Sequence, residues 1–361
     1  MGGIAVADFH NLVTRSQPIL DRNRTQDIAS AYQNVICGWI YDNFCQEEPD
    51  GTSVRRNVTT ELGNNFKRTQ LFDSEAINVN QGAAFAEEKW AYTFNGYAYD
   101  LRAVDQNAGK SRIVNYLIEE RAKCFGNQAE SMETEWWSGP SNDTDATEKL
   151  KARGVAHIII TSATKGFNGT TPTNFTTVHG LSPTTYSQWK NYTDTFAAVS
   201  EDDFFDACRE MLLKIKWKAY ASFPGHQDNS HKQFMFCGTD LMVLLQKQAK
   251  LQNENLRNEL IMFGGNDPAF PDRMKMGSQL TVHGIPLIHV PWLDDNEPQT
   301  KTLYCIDFDT FYPVKHSGWW MREEGPDKSA TSGVVIEKKL YCTHAPICEN
   351  RRRQGVMYST V

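Results

Sequence analysis

From Ser53 to Leu101 the chain takes on strand character, and from Trp90 onward large apolar side chains recur at every second position, the period of a half-buried strand. Trp90, Tyr92 and Phe94 alternate with small or polar residues, and Tyr97, Tyr99 and Leu101 resume the alternation one step out of phase. The slip falls at Asn95-Gly96. A β-bulge there would reverse the faces, because its extra residue shifts the pleat by one. Asn-Gly equally suits the tip of a tight hairpin. Under either reading residues 52–104 form a long ribbon with little core of its own. An isolated ribbon is marginal in water, so this one should lie on a partner surface.

The period then changes. From Asp105 to Trp137 the apolar residues Ile113, Leu117, Ile118, Cys124 and Met132 fall at helical spacing, with Glu119, Glu120, Arg121 and Lys123 between them. Gly109 and Gly126 interrupt the pattern, and Ser138-Gly139-Pro140 stops it. A continuous helix of this length spans roughly 45–50 Å, which suits a strut better than an ordinary globular helix. Upstream, residues 1–50 show no sustained period apart from a short helix within Ile28 to Tyr41, and Pro49-Asp50-Gly51 closes them in a turn.

Downstream the pattern is mixed. Val155 to Thr161 reads as a buried strand, followed by a Gly-, Thr-, Asn- and Pro-rich loop from Lys165 to about Asn191. A loop that long usually has a contact role. Ser200 with Asp203 forms a capping signature for a helix carrying Phe204, Phe205, Cys208, Leu212 and Ile215. Phe234 to Cys237 is a strand, and Thr239 to about Leu260 a helix. Further strands are expected at Leu280–His283, Ile285–Val290, Thr302–Phe308 and Val334–Cys342.

Composition narrows this picture. At 361 residues the chain suits two lobes plus extensions, and 40% hydrophobic against 22% charged residues favours folding over disorder. A net charge of -7 argues against a protein that wraps nucleic acid in cationic side chains, although a wall lying near DNA remains compatible. Arg351, Arg352 and Arg353 are the longest basic run; they read as a solvated basic turn, with a contact to nucleic acid or a neighbouring subunit as the other use. Eight scattered cysteines without a C-x-x-C pair read as small buried hydrophobes in a reducing compartment. No stretch approaches the roughly 18 apolar residues of a membrane span, and the chain is expected to be soluble and intracellular when made.

Motifs for chemistry are sparse. Phosphate-binding glycine loops, nucleophile elbows and zincin helices are absent from the sequence. His226, Asp228 and His231 offer metal-ligand types, but a polar loop leaves their geometry unconstrained. His283 and His289 read as satisfied core or edge histidines. Asp294, Asp295 and Glu297 read as a charged turn before they read as a cation site. No catalytic residue, cofactor or metal is assigned.

The chain nevertheless resembles a known family. Lys89-Trp90-Ala91-Tyr92-Thr93-Phe94, followed by the helix bearing Ile113-Val114-Asn115-Tyr116-Leu117, is similar to the extended-loop-to-spine-helix passage of tailed-phage major capsid proteins. The stretch from Gly166-Phe167-Asn168-Gly169 through Gly180-Leu181-Ser182-Pro183 to Trp189-Lys190-Asn191-Tyr192-Thr193 resembles a loop of several such coat proteins. Gly284-Ile285-Pro286-Leu287, Val290-Pro291-Trp292-Leu293-Asp294 and Leu303-Tyr304-Cys305-Ile306-Asp307-Phe308 to Gly318-Trp319-Trp320 look like their C-terminal strands. The order of these patterns along one chain is a stronger signal than any one of them.

The resemblance implies an α+β fold of the Hong Kong 97-like (Johnson) type. Its parts would be an N-terminal arm (1–50), an extended β-ribbon loop (51–104) and a peripheral domain on a long spine helix (105–145, rejoined by 301–361), with an axial domain at 146–300. The implied function is non-catalytic self-assembly into hexamers and pentamers of an icosahedral head around double-stranded DNA, in the host cytoplasm and then the virion. Contacts between subunits would involve Lys67, Arg68, Lys89, Trp90, Tyr92, Phe94, Arg351, Arg352 and Arg353. No long charged helical N-terminal segment is present, so a separate scaffolding protein is expected, with a portal and decoration proteins as further partners. Some relatives cross-link Lys on the loop to Asn near the C-terminus; Lys67, Lys89 and Asn350 offer the residue types without a motif that fixes them. An encapsulin-like compartment shell shares the fold, and a metal-dependent enzyme using His226, Asp228 and His231 is the reading from another class.

Overall fold

The computed structural model describes residues 35–60, 82–102, 110–215, 232–252, 280–329 and 332–361, together with residues 66, 68 and 70. From the N-terminal side run α1 (Ile36–Phe44), β1 (Gln46–Glu48), the paired strands β2 (Ser53–Thr59) and β3 (Ala83–Lys89), β4 (Ala91–Asp100) and α2 (Lys110–Trp137). Then follow α3 (Val155–Ile158), β5 (Gly166–Gly169), β6 (Asn191–Phe196), α4 (Asp206–Lys214), β7 (Gln233–Cys237) and α5 (Thr239–Gln252). The chain closes with β8 (Thr281–Val282), β9 (Ile285–His289), α6 (Trp292–Asn296), β10 (Leu303–Asp307), β11 (Phe311–His316), β12 (Arg322–Ser329), β13 (Ser332–Cys348) and β14 (Gly355–Ser359).

The strut predicted by the apolar stripe is α2, 28 residues and roughly 40 Å long. It runs unbroken through Gly126, where an added Cβ would meet nothing, so this glycine weakens the helix without a packing reason. Cys124, Gln128, Met132 and Trp136, four residues apart, are all buried, the spacing that puts side chains on one helix face. Gly139, at φ +89°, turns the chain out of the helix.

Two sheets flank this strut. The larger has the order β5-β6-β14-β10-β7-β9-β8 and is buried on both faces. Alternation along each strand divides its side chains between two cores. Phe234, Phe236, Ile288, Tyr304, Ile306 and Val356 join the core that contains Trp136, Trp137 and α1. Met235, Cys237, Leu287, Leu303, Cys305 and Met357 join the second, under α4 and α5. Near-continuous apolar runs such as Leu303-Tyr304-Cys305-Ile306 follow from that double burial.

The smaller sheet is organised by β13, 17 residues long. β4 lies along one edge; β12 and β11 share the other, and β1 extends the sheet parallel to β11. The pairing of β4 with β13 contains neither a bulge nor a hairpin tip: ten consecutive pairs run from Ala91 opposite His344 to Asp100 opposite Val335. The out-of-phase aromatics therefore lie on opposite faces of one straight strand. Gly96 sits at the change because a Cβ there would come within 2.9 Å of the Lys338 carbonyl oxygen.

Other expectations also change. Residues 91–100 belong to this sheet and not to the ribbon, which among the described residues consists of β2 and β3. Val155 to Ile158 is a helical turn instead of a strand. Gly154 packs so tightly on the Glu135 and Trp136 carbonyls, where no Cβ would fit, that a single turn suffices to bury Val155, Ile158 and Ile159. Ser200 makes no side-chain cap; Asp203 instead accepts from the amides of Ala197 and Ala198, and residues 201–205 form a π turn before α4. Ile36, Cys37, Trp39, Ile40 and Tyr41 are core residues, so α1 is not part of a free arm. β10 and β14 lie in the middle of the large sheet, and only residues 311–348 of the C-terminal part join β1 and β4.

Candidate assembly surfaces

The ribbon leaves the body through two strands in unbroken register, from Ser53 opposite Lys89 to Thr59 opposite Ala83. Residues opposite each other share a face. One face carries Val54, Arg56 and Val58 with Glu88, Ala86 and Ala84, and it is turned to the chain's own body. Val54 packs with Trp90, Tyr312, Val314, Ala345 and Ile347; Ala86 packs with Leu181 and Trp189 from the long loop. The ribbon root thus finds its supporting surface within the chain. The expected contact role of the loop from Lys165 to Asn191 is met here: the Glu87 amide donates to the His179 carbonyl at 3.0 Å.

Two charged residues on that face are held by the body. Glu88, 4% exposed, accepts from Arg153 Nη1 at 3.0 Å and from His179 Nδ1 at 2.8 Å. Arg56 donates to the Tyr312 hydroxyl at 2.8 Å and pairs with Glu48 at 2.5 Å and Glu349 at 3.4 Å. The opposite face of the ribbon presents Phe85, 61% exposed, beside the surface pair Arg55–Glu87.

The β4–β13–β12 sheet is covered on one face by α2. Asn95 donates to the Cys124 carbonyl, Gln128 to the Thr93 hydroxyl, and Arg121 pairs with Glu323 at 2.7 Å. Its other face holds Tyr92 and Phe94, exposed by 73% and 65%. Phe94 meets Tyr341 at 5.6 Å between ring centroids, Tyr341 meets Trp319 at 5.9 Å, and the Arg322 guanidinium stands 4.5 Å over the Trp319 ring. This aromatic strip has no cover among the described residues, and strips of this kind mark contact sites.

The sequence-predicted contact residues fall into three groups. Arg68 and Lys89 are exposed, as are Tyr92 and Phe94, while Lys67 lies outside the described residues. Trp90 is buried and donates to the Gly51 carbonyl at 2.9 Å, so it anchors the ribbon instead of facing a neighbour. The basic turn is not a solvated one. Arg351 is fully buried and donates to the carbonyls of Ile158, Thr170 and Trp189 at 2.8–3.0 Å, with Asn191 Oδ1 at 3.2 Å. It lacks a carboxylate among these partners, and burial pulls its pKa down to about 10. Arg353 pairs with the buried Asp307 at 2.8 Å, and Arg352 stacks over Phe167 at 4.0 Å. Arg351 and Arg352 pin this turn to the long loop and Arg353 pins it to β10, which adjacent like charges in a sequence cannot reveal.

Candidates for chemistry do not assemble. His226, Asp228 and His231 lie outside the described residues, and among the described residues no group of three metal-ligating side chains occurs. His289 Nε2 lies 2.8 Å from Thr239 Oγ1 and 3.3 Å from Asp294 Oδ2. Both partners meet the same ring nitrogen, so no relay through the imidazole exists; Asp294 also accepts from the Thr239 amide and caps α5. Glu297 accepts from the Lys301 amide, and His283, at φ +51°, contacts the Phe205 carbonyl. Asn350 caps the following turn through Arg352. All eight cysteines are free and seven are buried. Among the described residues no helix is long and apolar enough to cross a membrane.

Sequence reading missed Glu88, His179, Arg153 and the carboxylates around Arg56. One signal was present: in Ala84-Phe85-Ala86-Glu87-Glu88, Glu88 shares its face with Ala84 and Ala86, an odd place for a carboxylate unless it is paired.

No protein-family model matches the chain, and no curated protein does. Solved structures do match. The chain is similar to one from the cyanophage A-1(L) capsid asymmetric unit, with a TM-score of 0.61 at 12% identity, covering 94% of this chain and 96% of that one. It is similar to a chain from the capsid of a native GTA particle, with a TM-score of 0.56 at 9% identity over 100% of both. A chain from the capsid of Myoviridae phage XM1 gives 0.55 at 11% identity, over 99% of this chain and 100% of that one. At such identities the likeness is one of fold, and the fold is the Hong Kong 97-like α+β fold of capsid subunits.

Proposed function

We propose that the chain is the major capsid protein of a tailed double-stranded DNA phage, assembling with copies of itself into the hexamers and pentamers of an icosahedral head. What carries this reading is the end-to-end match to capsid subunits, with nothing substantial left over on either side. The surfaces agree in kind. A ribbon departs from the body with Phe85 outward, and an aromatic strip of exposed Tyr92, Phe94 and Trp319 with half-buried Tyr341 between them offers a neighbour something to cover. Shells distribute binding over many such contacts, each too small to hold alone.

Within this reading Lys67, Arg68, Lys89, Tyr92 and Phe94 lie at contacts between subunits. The role is structural, and the net charge of -7 suits a wall near packaged DNA better than a wrapping surface. A separate scaffolding protein, a portal and decoration proteins complete the head, which is built in the host cytoplasm and carried in the virion.

Electron microscopy of the expressed full chain, alone and with co-expressed scaffold, tests this directly. Closed shells, or sheets and tubes with capsomer lattices, are the expected products. A small oligomer with no higher assembly in either case would overturn the proposal.

A further inference from the structure

The ribbon root is tied to the body by one charge from each of its strands. On β2, Arg56 reaches three different elements: Glu48 of β1 at 2.5 Å, the Tyr312 hydroxyl of β11 at 2.8 Å, and Glu349 just after β13 at 3.4 Å. Gln46 of β1 adds a fourth acceptor at 3.2 Å, and Tyr312 itself donates to Glu349. On β3, Glu88 is held by Arg153 and His179. A carboxylate only accepts, so His179 donates through Nδ1; its Nε2 is buried without a partner. The imidazole is therefore used for this one contact. The loop that delivers it is itself constrained: His179 and Gly180 are both left-handed, at φ +52° and +76°, and Trp189 Nε1 donates to the Val178 carbonyl behind them.

Because Val54 stands opposite Glu88, and Arg56 opposite Ala86, the two charges are diagonal neighbours on the inward face. One is anchored towards the small sheet, the other towards the long loop. Apolar contacts at Val54 and Ala86 would hold the root against the body but tolerate rocking, since dispersion and burial are not directional. Two directional, charge-assisted contacts on separate strands, one buried at Glu88 and one half-buried at Arg56, remove that freedom.

We infer that Arg56 and Glu88 are the positioning residues of the ribbon: their clusters fix the angle and roll at which it leaves the subunit, and so set the geometry with which successive subunits join. The curvature half of this inference rests on the shell-forming role proposed above. The clamp itself does not.

The test uses full-length Glu88→Gln, Arg56→Gln and the charge-retaining Glu88→Asp, compared with wild type. Amide exchange in the unassembled chain is read at residues 53–59 and 83–89 and, as an internal reference, at 303–307. Each Gln variant is expected to raise exchange at the ribbon root about tenfold or more while the reference strand is unchanged. Glu88→Asp should fall between Gln and wild type. Shells from the Gln variants should vary in diameter or give way to open sheets. Wild-type exchange at the root in both Gln variants overturns the clamp, and loosened roots with shells of wild-type diameter overturn its control of curvature. If Glu88→Gln fails to fold, Arg56→Gln reads the same property from the other strand. If wild type itself forms no shell, the proposed function falls while exchange still decides the clamp.

Discussion

In the large sheet Phe234, Phe236 and Tyr304 point into one core and Met235, Leu303 and Cys305 into another, whereas on β4 Tyr92 and Phe94 stand uncovered by any described residue. Both sheets draw on aromatic, β-favouring residues, and both have a helix or helices against one face. The difference is the second face. In the large sheet the chain supplies both covers, so every strand is stabilised internally. In the small sheet α2 covers one side; on the other the ribbon root covers the end at β11, and Tyr92 and Phe94 have no cover among the described residues. Hydrophobicity alone therefore does not identify core in this protein; the identity of the covering element does.

The sharpest way to break this comparison is to truncate one large residue from each sheet. Tyr304→Ala removes a fully buried ring and should destabilise the chain by about 3–5 kcal/mol in urea unfolding. Phe94→Ala, of similar bulk, should shift the same curve by under about 0.5 kcal/mol. Equal losses would mean that the face bearing Phe94 is internally covered.

Acid should act through the enclosed part first. His344, on β13, stands edge-on to Tyr41, and burial pulls its pKa down to about 4. The folded chain thus binds fewer protons at this site than the unfolded chain between pH 6.5 and 4. Its contribution is fully present above pH 6.5 and is lost as pH falls to 4, by about 3 kcal/mol. Glu133 acts with the opposite sign. Burial raises its pKa to about 7, against hydrogen bonds from the Cys37 amide at 2.6 Å and Trp137 Nε1 at 2.7 Å. Its burial therefore costs stability increasingly as pH rises from about 4.5 to 7. Urea midpoints measured from pH 4 to 7 should flatten on the acid side in His344→Gln; an unchanged acid limb would show that His344 is not buried neutral.

Gly96→Ala places a Cβ against the Lys338 carbonyl and should cost about 1–3 kcal/mol. Amide exchange should rise at residues 335–344, with the large sheet unaffected. Loss of protection in both sheets together would show that they unfold as one unit.

The smallest effect on the isolated chain should come from Tyr92→Ser with Phe94→Ser. Thermal unfolding should be nearly that of wild type, since both side chains are exposed. Sedimentation should nevertheless show loss of large assemblies. Wild-type assembly by this variant would remove the aromatic strip from the list of contacts.

What could be read from the sequence follows from what is local. The stripe of Ile113, Leu117, Ile118, Cys124 and Met132 indicates α2 because its spacing needs no partner to be interpreted. The runs at Phe234 to Cys237 and, within Thr302 to Phe308, at Leu303 to Ile306 read as strands, since double burial leaves an apolar residue at each step. The phase slip at Asn95-Gly96 is equally visible, but its meaning depends on β13, some 240 residues away: only a straight partner strand shows that the aromatics change face without a bulge. Among site residues, Tyr92 and Phe94 stand out by alternation. Arg351 misleads, because a run of three arginines looks solvated until the carbonyls of Ile158, Thr170 and Trp189 are seen to converge on it.

By itself the sequence determined the periods: a long helix, alternating strands, a loop-rich middle and the ordered motifs that imply the capsid fold. Tertiary structure alone decided which faces are covered, that the last strand enters the middle of the large sheet, and that Arg56 and Glu88 are held from opposite sides. Period is a property of neighbours three or four residues apart, whereas burial and charge pairing are properties of surfaces brought together from distant parts of the chain. The alternation from Trp90 to Leu101 is accordingly visible as strand, while the device that aims the ribbon beside it is not.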